Sequence, residues 1–427
     1  MALQTPKRFY YGWYVAGVSF LGIFFSLGIR YTFSIYFVAI ISDMGWSRAQ
    51  TAGAFSLILF VHAVLSPFTG FVVDRFGPRK LFPIGAGILG LSLILDGRIN
   101  ALWQLYVFLG LCTAVGVNFL SFPPHMATMA RWFVRYRGLA NGIAMAGIGL
   151  GGFFLAPFAQ YLIDHIGWRG GLTVKGVLVI ALLLPLAAII HRRGPEQVGQ
   201  RPDGDPDPKR KGAMDIDGSE EFAAGSSNPP APAWTVKRAI HSMNFWRIML
   251  VYATYGFLIN TLSVHQAAKM VDAGYSPQFV ATIVGTAGLF GSFGGVAVGH
   301  LSDRWGRRTG YVFGSVLVLF GMVMLYLTKS SDHPWMLYVY MVCFGLGYGT
   351  LPTLQGSFPA DVFPGPFLGR ILGLLAFGFG CGGALGPYLA GWLFDRTQSY
   401  DLVFLLLMGT TVVGALAAWG IKREPLK

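Results

Sequence analysis

The sequence predicts an all-α membrane protein of twelve transmembrane helices, arranged as two pseudo-symmetric six-helix bundles. Three observations carry this: an apolar, charge-poor composition, twelve apolar runs of spanning length, and a repeat of the first half in the second. Of 427 residues, 54% are hydrophobic and 12% charged, with a mean hydropathy of +0.56. That is about half the charge density of a soluble chain. The 58 glycines suit close-packed membrane helices better than soluble ones. A soluble enzyme, a disordered chain and a secreted disulfide scaffold are excluded. Cys112, Cys343 and Cys381 are odd in number and lie within apolar runs, so they imply no disulfide framework.

A helix needs about 20 apolar residues to cross the hydrocarbon core. Six runs precede the middle of the chain, at 12–41, 51–73, 81–95, 102–130, 138–163 and 171–190. Six follow it, at 245–271, 279–301, 310–327, 335–358, 371–394 and 401–420. The first run is too long for a signal-peptide core. The expected organisation is a bundle at 1–191, a linker at 192–243 and a second bundle at 244–427. The linker is rich in Gly, Pro, Asp and Ser, lacks apolar periodicity, and reads as mobile.

The net charge of +13 is topogenic. With both termini inside, 24 of the 32 lysines and arginines fall in cytoplasmic segments and six in external loops. This is the positive-inside bias, and it excludes nucleic acid as a partner. Two cations remain, Lys175 and Arg30. Lys175 stands about a turn inside the sixth run and is expected to snorkel outward. Arg30 stands in the middle of the first run, where a charge is costly without a wet cavity or a partner.

The halves repeat. Gly70-Phe-Val-Val-Asp74-Arg75-Phe-Gly77-Pro-Arg79-Lys80 recurs as Gly299-His-Leu-Ser-Asp303-Arg304-Trp-Gly306-Arg307-Arg308, at an offset of 229. Gly138, Gly142, Gly147, Gly149, Gly151, Gly152 and Asp164 recur as Gly369, Gly373, Gly378, Gly380, Gly382, Gly383 and Asp395, at an offset of 231. Parallel six-span repeats place two bundles across an axis normal to the membrane.

The duplicated loop resembles the signature of the major facilitator superfamily. Within it the chain is similar to the monocarboxylate transporters and their bacterial relatives, including the oxalate/formate exchangers. The strings that carry the likeness include Tyr11-Gly12-Trp13, Gly28-Ile-Arg30-Tyr-Thr-Phe33, Gly45-Trp46-Ser47-Arg48-Ala49, Gly167-Trp168-Arg169 and Val264-His265. The eighth run departs from the family: it carries no charge between 279 and 296, where many of these carriers place an Asp and an Arg, or an Arg alone. The resemblance implies the major facilitator fold, with runs one, four, seven and ten around a central cavity.

No Asp or Glu stands at mid-depth, Asp96 being placed near an external end, so Arg30 has no carboxylate of its own. A guanidinium is a planar fork of donors matched to a carboxylate, which makes the substrate the expected partner. The competing reading is a structural arginine bonded to carbonyls and waters. Asn118, Asn260, His265 and Tyr348 fall near the same level on the cavity runs, with Gln355 two turns deeper. For each of these the competing reading is an interhelical hydrogen bond. His265, or the substrate carboxyl itself, is expected to carry the proton, with His62 the second candidate among side chains, because imidazole titrates near neutrality. His125 follows two prolines and reads as a packed histidine at a kink. Asp74, Arg75, Arg79, Asp303, Arg304 and Arg308 form the expected gate, holding one access state and releasing the other.

The chain has no Gly-Lys dipeptide and therefore no P-loop; no metal spacing or nucleophile elbow is present either. No cofactor or metal is expected and the protein is not an enzyme. The expected function is secondary transport of a small organic anion, a monocarboxylate, by proton-coupled symport with alternating access. The expected partners are the carboxylate, the proton and membrane lipid. Both termini are expected in the cytoplasm, with the bundles in the plasma (inner) membrane. Anion exchange and efflux of an aromatic or amphipathic compound are the rival transport readings. A receptor on the same fold would need a folded sensory domain, for which the linker and tails offer no apolar pattern.

Overall fold

The computed structural model describes residues 10–204, 234–364 and 367–421. These residues are almost wholly helical, and no strand occurs among them. Span 1 is a pair of helices, Gly12–Tyr31 and Phe33–Met44, broken at Thr32. Spans 2 and 3 are Arg48–Phe76 and Pro78–Asp96. Span 4 begins at Leu102–Leu105, passes through a π-helical stretch, Tyr106–Thr113, and ends in Ala114–Phe119 and Phe122–Trp132. The stretch Arg137–Leu178 is two helices, span 5 and the start of span 6, meeting at the non-helical Gly167, φ 71° and ψ 166°. Span 6 continues through a second π-helical stretch, Val179–Leu183, to Leu184–Ile190.

Spans 7 to 12 are Met243–Asp272, Pro277–Trp305, Arg307–Leu327, Trp335–Val362, Leu368–Thr397 and Asp401–Trp419. Among the described residues nine stretches are long and apolar enough to cross a bilayer. One of these, Leu139–Ile190, crosses twice, and spans 8 and 10 complete the twelve. Tyr10 and Ile421 lie on one face, called here the terminal face. The side chains of Asp74, Asp303, Arg304 and Gln355 lie outside the described residues, as does most of the predicted linker.

The repeat is visible in the backbone. Gly77 and Gly306 both take positive φ, 77° and 89°, at the turns joining spans 2–3 and 8–9. The glycine runs of spans 5 and 11 serve packing. A Cβ at Gly151 would stand 3.2 Å from the Cα of Gly28, so spans 1 and 5 touch backbone to backbone. Span 3 shows how lipid and core divide one helix. Leu81, Phe82, Ala86, Leu89 and Leu93 are buried, while Ile84 and Leu91 are exposed and apolar. Such exposed apolar residues face lipid rather than water.

Candidate functional site

Arg30 closes the first helix of span 1, two residues before the Thr32 break. Its Nη2 donates to Oδ1 of Asn260 on span 7, in the opposite half of the molecule. Asn260 is fixed in turn by donating from Nδ2 to the Gly256 carbonyl at 2.8 Å. The amide oxygen therefore faces Arg30. The guanidinium also lies 6.0 Å from the centroid of Phe55 on span 2. The phenols of Tyr31 and Tyr255 stand near the guanidinium, and Tyr31 adjoins Tyr348 of span 10. Tyr255 donates to the Tyr348 carbonyl at 3.3 Å. Arg30, Asn260 and Tyr348, expected together from depth counting, thus converge. Tyr31 and Tyr255 were missed, although one neighbours Arg30 in sequence and the other lies five residues before Asn260.

The remaining expected residues are distributed differently. Asn118 bonds span 2: its Nδ2 is 3.1 Å from both Nδ1 and the carbonyl of His62, and its Oδ1 accepts from Thr69. His62 also lies within electrostatic reach of Arg30. His125 stacks on Phe82 with ring centroids 4.2 Å apart, against span 3.

His265 belongs to a contact between the halves on the face opposite the termini. Its Nε2 is 2.9 Å from the Pro387 carbonyl and its Nδ1 is 2.9 Å from the Tyr400 hydroxyl. A carbonyl only accepts, so Nε2 carries the proton and Nδ1 accepts from Tyr400. The Tyr400 oxygen in turn accepts from Arg48 Nη1 at 2.7 Å. Arg48 also pairs with Asp272 at 2.8 Å and lies over Phe394, 3.8 Å from its centroid. The Asp395 carboxylate takes the backbone N–H groups of Arg48 at 3.0 Å and Ala49 at 2.9 Å, capping span 2 from span 11. The two helices meet so closely that a Cβ at Gly391 would stand 2.7 Å from the Ala49 Cα. Sequence reasoning missed Arg48 because its partners lie more than 220 residues away.

Of the loop residues expected to form a gate, Arg75 and Arg79 are exposed and Arg308 is half-buried. The backbone carbonyl of Arg75 accepts from Arg193 at 3.3 Å. An unexpected pair, Arg307 with Asp361 at 3.7 Å, joins spans 9 and 10 within one half.

Two placements correct the sequence reading. Lys175 does not reach outward: it is 2% exposed, its Nζ donates to Thr32 Oγ1 at 2.5 Å, and it lies 4.5 Å from the Tyr36 ring centroid. Asp96 closes span 3, near its external end as expected, but it is buried: it is 1% exposed, with Oδ2 3.4 Å from Thr113 Oγ1. Ile99 of the 97–101 connection lines the same cavity as Asp96, and Arg169 bonds Asp43 and the Ile99 carbonyl. Asp96, Lys175 and Arg30 all line one cavity of about 40 Å³, with Tyr36 and Thr113.

The two bundles, the duplicated turns and the polar cluster between spans 1, 7 and 10 define a site on the axis between halves. The Major Facilitator Superfamily profile matches residues 19–364 and again 248–427. The chain belongs to the Major Facilitator Superfamily. It is an integral, multi-pass membrane protein and a transporter of small organic substrates, not an enzyme. Monocarboxylate transporter 12 of Rattus norvegicus is 26% identical, over 94% of this chain and 83% of its own length. Monocarboxylate transporter 2 of Homo sapiens is 26% identical, over 97% and 85%. Monocarboxylate transporter 11 of Mus musculus is 28% identical, over 97% and 88%. Among solved structures, a bacterial homologue of the human lysosomal transporter Spinster, inward-facing and unoccupied, superposes with a TM-score of 0.72 at 17% identity. That match covers 97% of this chain and 96% of the other. A mutant of the nucleoside transporter NupG gives 0.71 at 11% identity, covering 96% and 99%. At these identities the structural likeness speaks for the superfamily fold. Among the described residues no group of three His, Cys, Asp or Glu side chains is placed to hold a metal.

Proposed function

We propose that this transporter carries small carboxylates, monocarboxylates foremost, by proton symport with alternating access. The observation that carries the reading is Arg30, a guanidinium inside the bundle whose protein partner is the neutral amide of Asn260. An arriving carboxylate takes two parallel N–H bonds from the fork, which a single amide oxygen does not supply. Asn260, Tyr31, Tyr255 and Tyr348 then orient the anion. The names of the monocarboxylate transporter relatives support the same substrate class.

Alternating access is supported by the Arg48 contact. It ties the halves together on one face, and its bonds break when they swing apart. The duplicated loops around Asp74 and Asp303 are proposed to act likewise on the terminal face. The positive-inside count supports a cytoplasmic terminal face, and the plasma membrane is the proposed location. Residues 1–191 and 244–427 are the proposed moving bodies, joined by 192–243.

The test is uptake of labelled pyruvate, lactate, benzoate and oxalate into proteoliposomes, with and without an inside-alkaline pH gradient. Gradient-driven accumulation of a monocarboxylate is expected. Oxalate exchange indifferent to the gradient would replace symport by exchange. Uptake of a neutral amphipathic dye, with all four anions excluded, would replace both by efflux.

A further inference from the structure

We propose that Asp96 is the carrier's proton-binding site, working with Lys175 and coupled to Arg30 through the Thr32 break in span 1. The inference rests on the carboxylate reading of Arg30 and adds to it the residue that takes the proton. Asp96 Oδ1 is buried and has no hydrogen-bond partner, while Oδ2 has only Thr113 at 3.4 Å. An ionised carboxylate buried with so few donors is expensive, and protonation removes the charge. Lys175 lines the same cavity, but no ion pair joins it to Asp96; its ammonium is directed at Thr32 instead. The cavity of about 40 Å³ exceeds the roughly 10–15 Å³ that one water needs, and its lining is mostly apolar.

The charged and titratable groups around Asp96 come from three spans. Arg30 and Tyr36 stand on span 1, Cys112 beside Thr113 on span 4, and Lys175 on span 6. Arg169 lies farther out, engaged with Asp43 and the Ile99 carbonyl. Spans 2 and 3 otherwise present Phe55, Ile58 and Leu93, which carry no charge. The π-helical turns at Tyr106–Thr113 and Val179–Leu183 occur in spans 4 and 6, on the helices that hold Thr113 and Lys175. Such turns loosen a helix locally and recur at functional sites.

The charge count gives the coupling. In the proposed empty state Asp96 is ionised, its charge offset across the cavity by Arg30 and Lys175 rather than by hydrogen bonds. A carboxylate arriving at Arg30 adds a negative charge, which raises the proton affinity of Asp96. The proton passes from water on the loading side to the Asp96 carboxylate, forming one O–H bond, and leaves that oxygen for water on the other side. Anion and proton together leave the charge of the site unchanged, so the loaded and empty carriers cross the same electrostatic landscape. Lys175 transmits the change mechanically. It is bonded to Thr32, whose hydroxyl also donates to the Ile29 carbonyl at 2.8 Å, beside Arg30. Relieving the charge on Asp96 alters the pull on Lys175 and hence on the break that positions Arg30.

The experiment compares wild type and Asp96→Asn in proteoliposomes, using whichever of pyruvate, lactate, benzoate or oxalate the wild type accumulates. Asp96→Asn should retain exchange of labelled for unlabelled anion at equal pH, which shows folding and binding. It should lose gradient-driven accumulation and the pH dependence of affinity, on the order of 5–150-fold for a coupled pair. Accumulation that still follows the gradient overturns the proposal and returns the proton to His265, His62 or the substrate carboxyl. Should Asp96→Asn fail to fold, infrared difference spectra of the wild type decide. Adding the anion should raise a protonated-carboxyl C=O band, and Thr113→Val should shift its frequency. No such band, or one indifferent to Thr113→Val, overturns the proposal. A wild type that moves none of the four anions sinks the carboxylate reading itself, and the Asp96 assignment with it.

Discussion

Arg30 is the residue on which the chemistry turns, and Asn260 is its most informative neighbour. Asn260→Asp places a carboxylate against the guanidinium within the protein. If Arg30 receives the substrate carboxylate, the new aspartate competes with it, and anion affinity should fall by roughly tenfold or more, as for a charged hydrogen bond. If Arg30 is only structural, the same change supplies its missing counter-ion and leaves transport intact. Isothermal binding of the accumulated anion, together with a melting curve, separates the two. Arg30→Lys keeps the charge but loses the fork, so it should weaken binding less than Arg30→Gln does. These two residues were legible in the sequence because each is polar at mid-depth in a long apolar run. Asp96 and Lys175 were not legible. Depth counting takes each end of a span as wet, and it cannot see Ile99 of the 97–101 connection line the same cavity as Asp96 or Thr32 draw Lys175 inward.

At the scale of the helix, the N-terminus of span 2 carries its own Ser47–Gln50 capping box and a second cap from Asp395 of span 11. Asp395→Asn removes the charge that faces the first-turn N–H groups of Arg48 and Ala49, at about 0.5–2 kcal/mol for a lost cap. The closed contact should become less populated, so transport rate should change while anion affinity in the closed state holds. The repeat supplies a control. Asp164 is the counterpart of Asp395, but it is bonded to Gln160 at 2.7 Å, and span 8 is capped by its own Ser276. Asp164→Asn should therefore be nearly silent; a rate change equal to that of Asp395→Asn would show that the two halves work symmetrically. The run lengths and the duplicated turns were readable from hydropathy and glycine spacing. The Thr32 break and the π-helical turn at Tyr106–Thr113 were not, since no proline marks them; Pro185 does stand just beyond the turn at Val179–Leu183.

Across the whole molecule, the question is which face is closed and what holds it. Arg48 links the halves through Tyr400 and Asp272, and His265 backs the same contact through Tyr400. Arg48→Gln should open the face opposite the termini. Spin labels on that face at Arg98→Cys and His333→Cys, with the three native cysteines replaced, should report a longer and broader distance distribution than in the parent. An unchanged distribution would remove Arg48 as the clasp. The two-bundle architecture was legible because a duplicated sequence with twelve spanning runs leaves few other arrangements. The clasp was not, because residues from opposite halves meet only after both bundles have folded. The central claim concerns the anion and Arg30, and equilibrium binding tests it most directly. Purified wild type and Arg30→Gln, matched in melting temperature, are titrated with the labelled carboxylate that the wild type accumulates. The account predicts a loss of about 100-fold in affinity, on the scale of removing one partner from a buried charge pair. Equal affinity in the two proteins would contradict it.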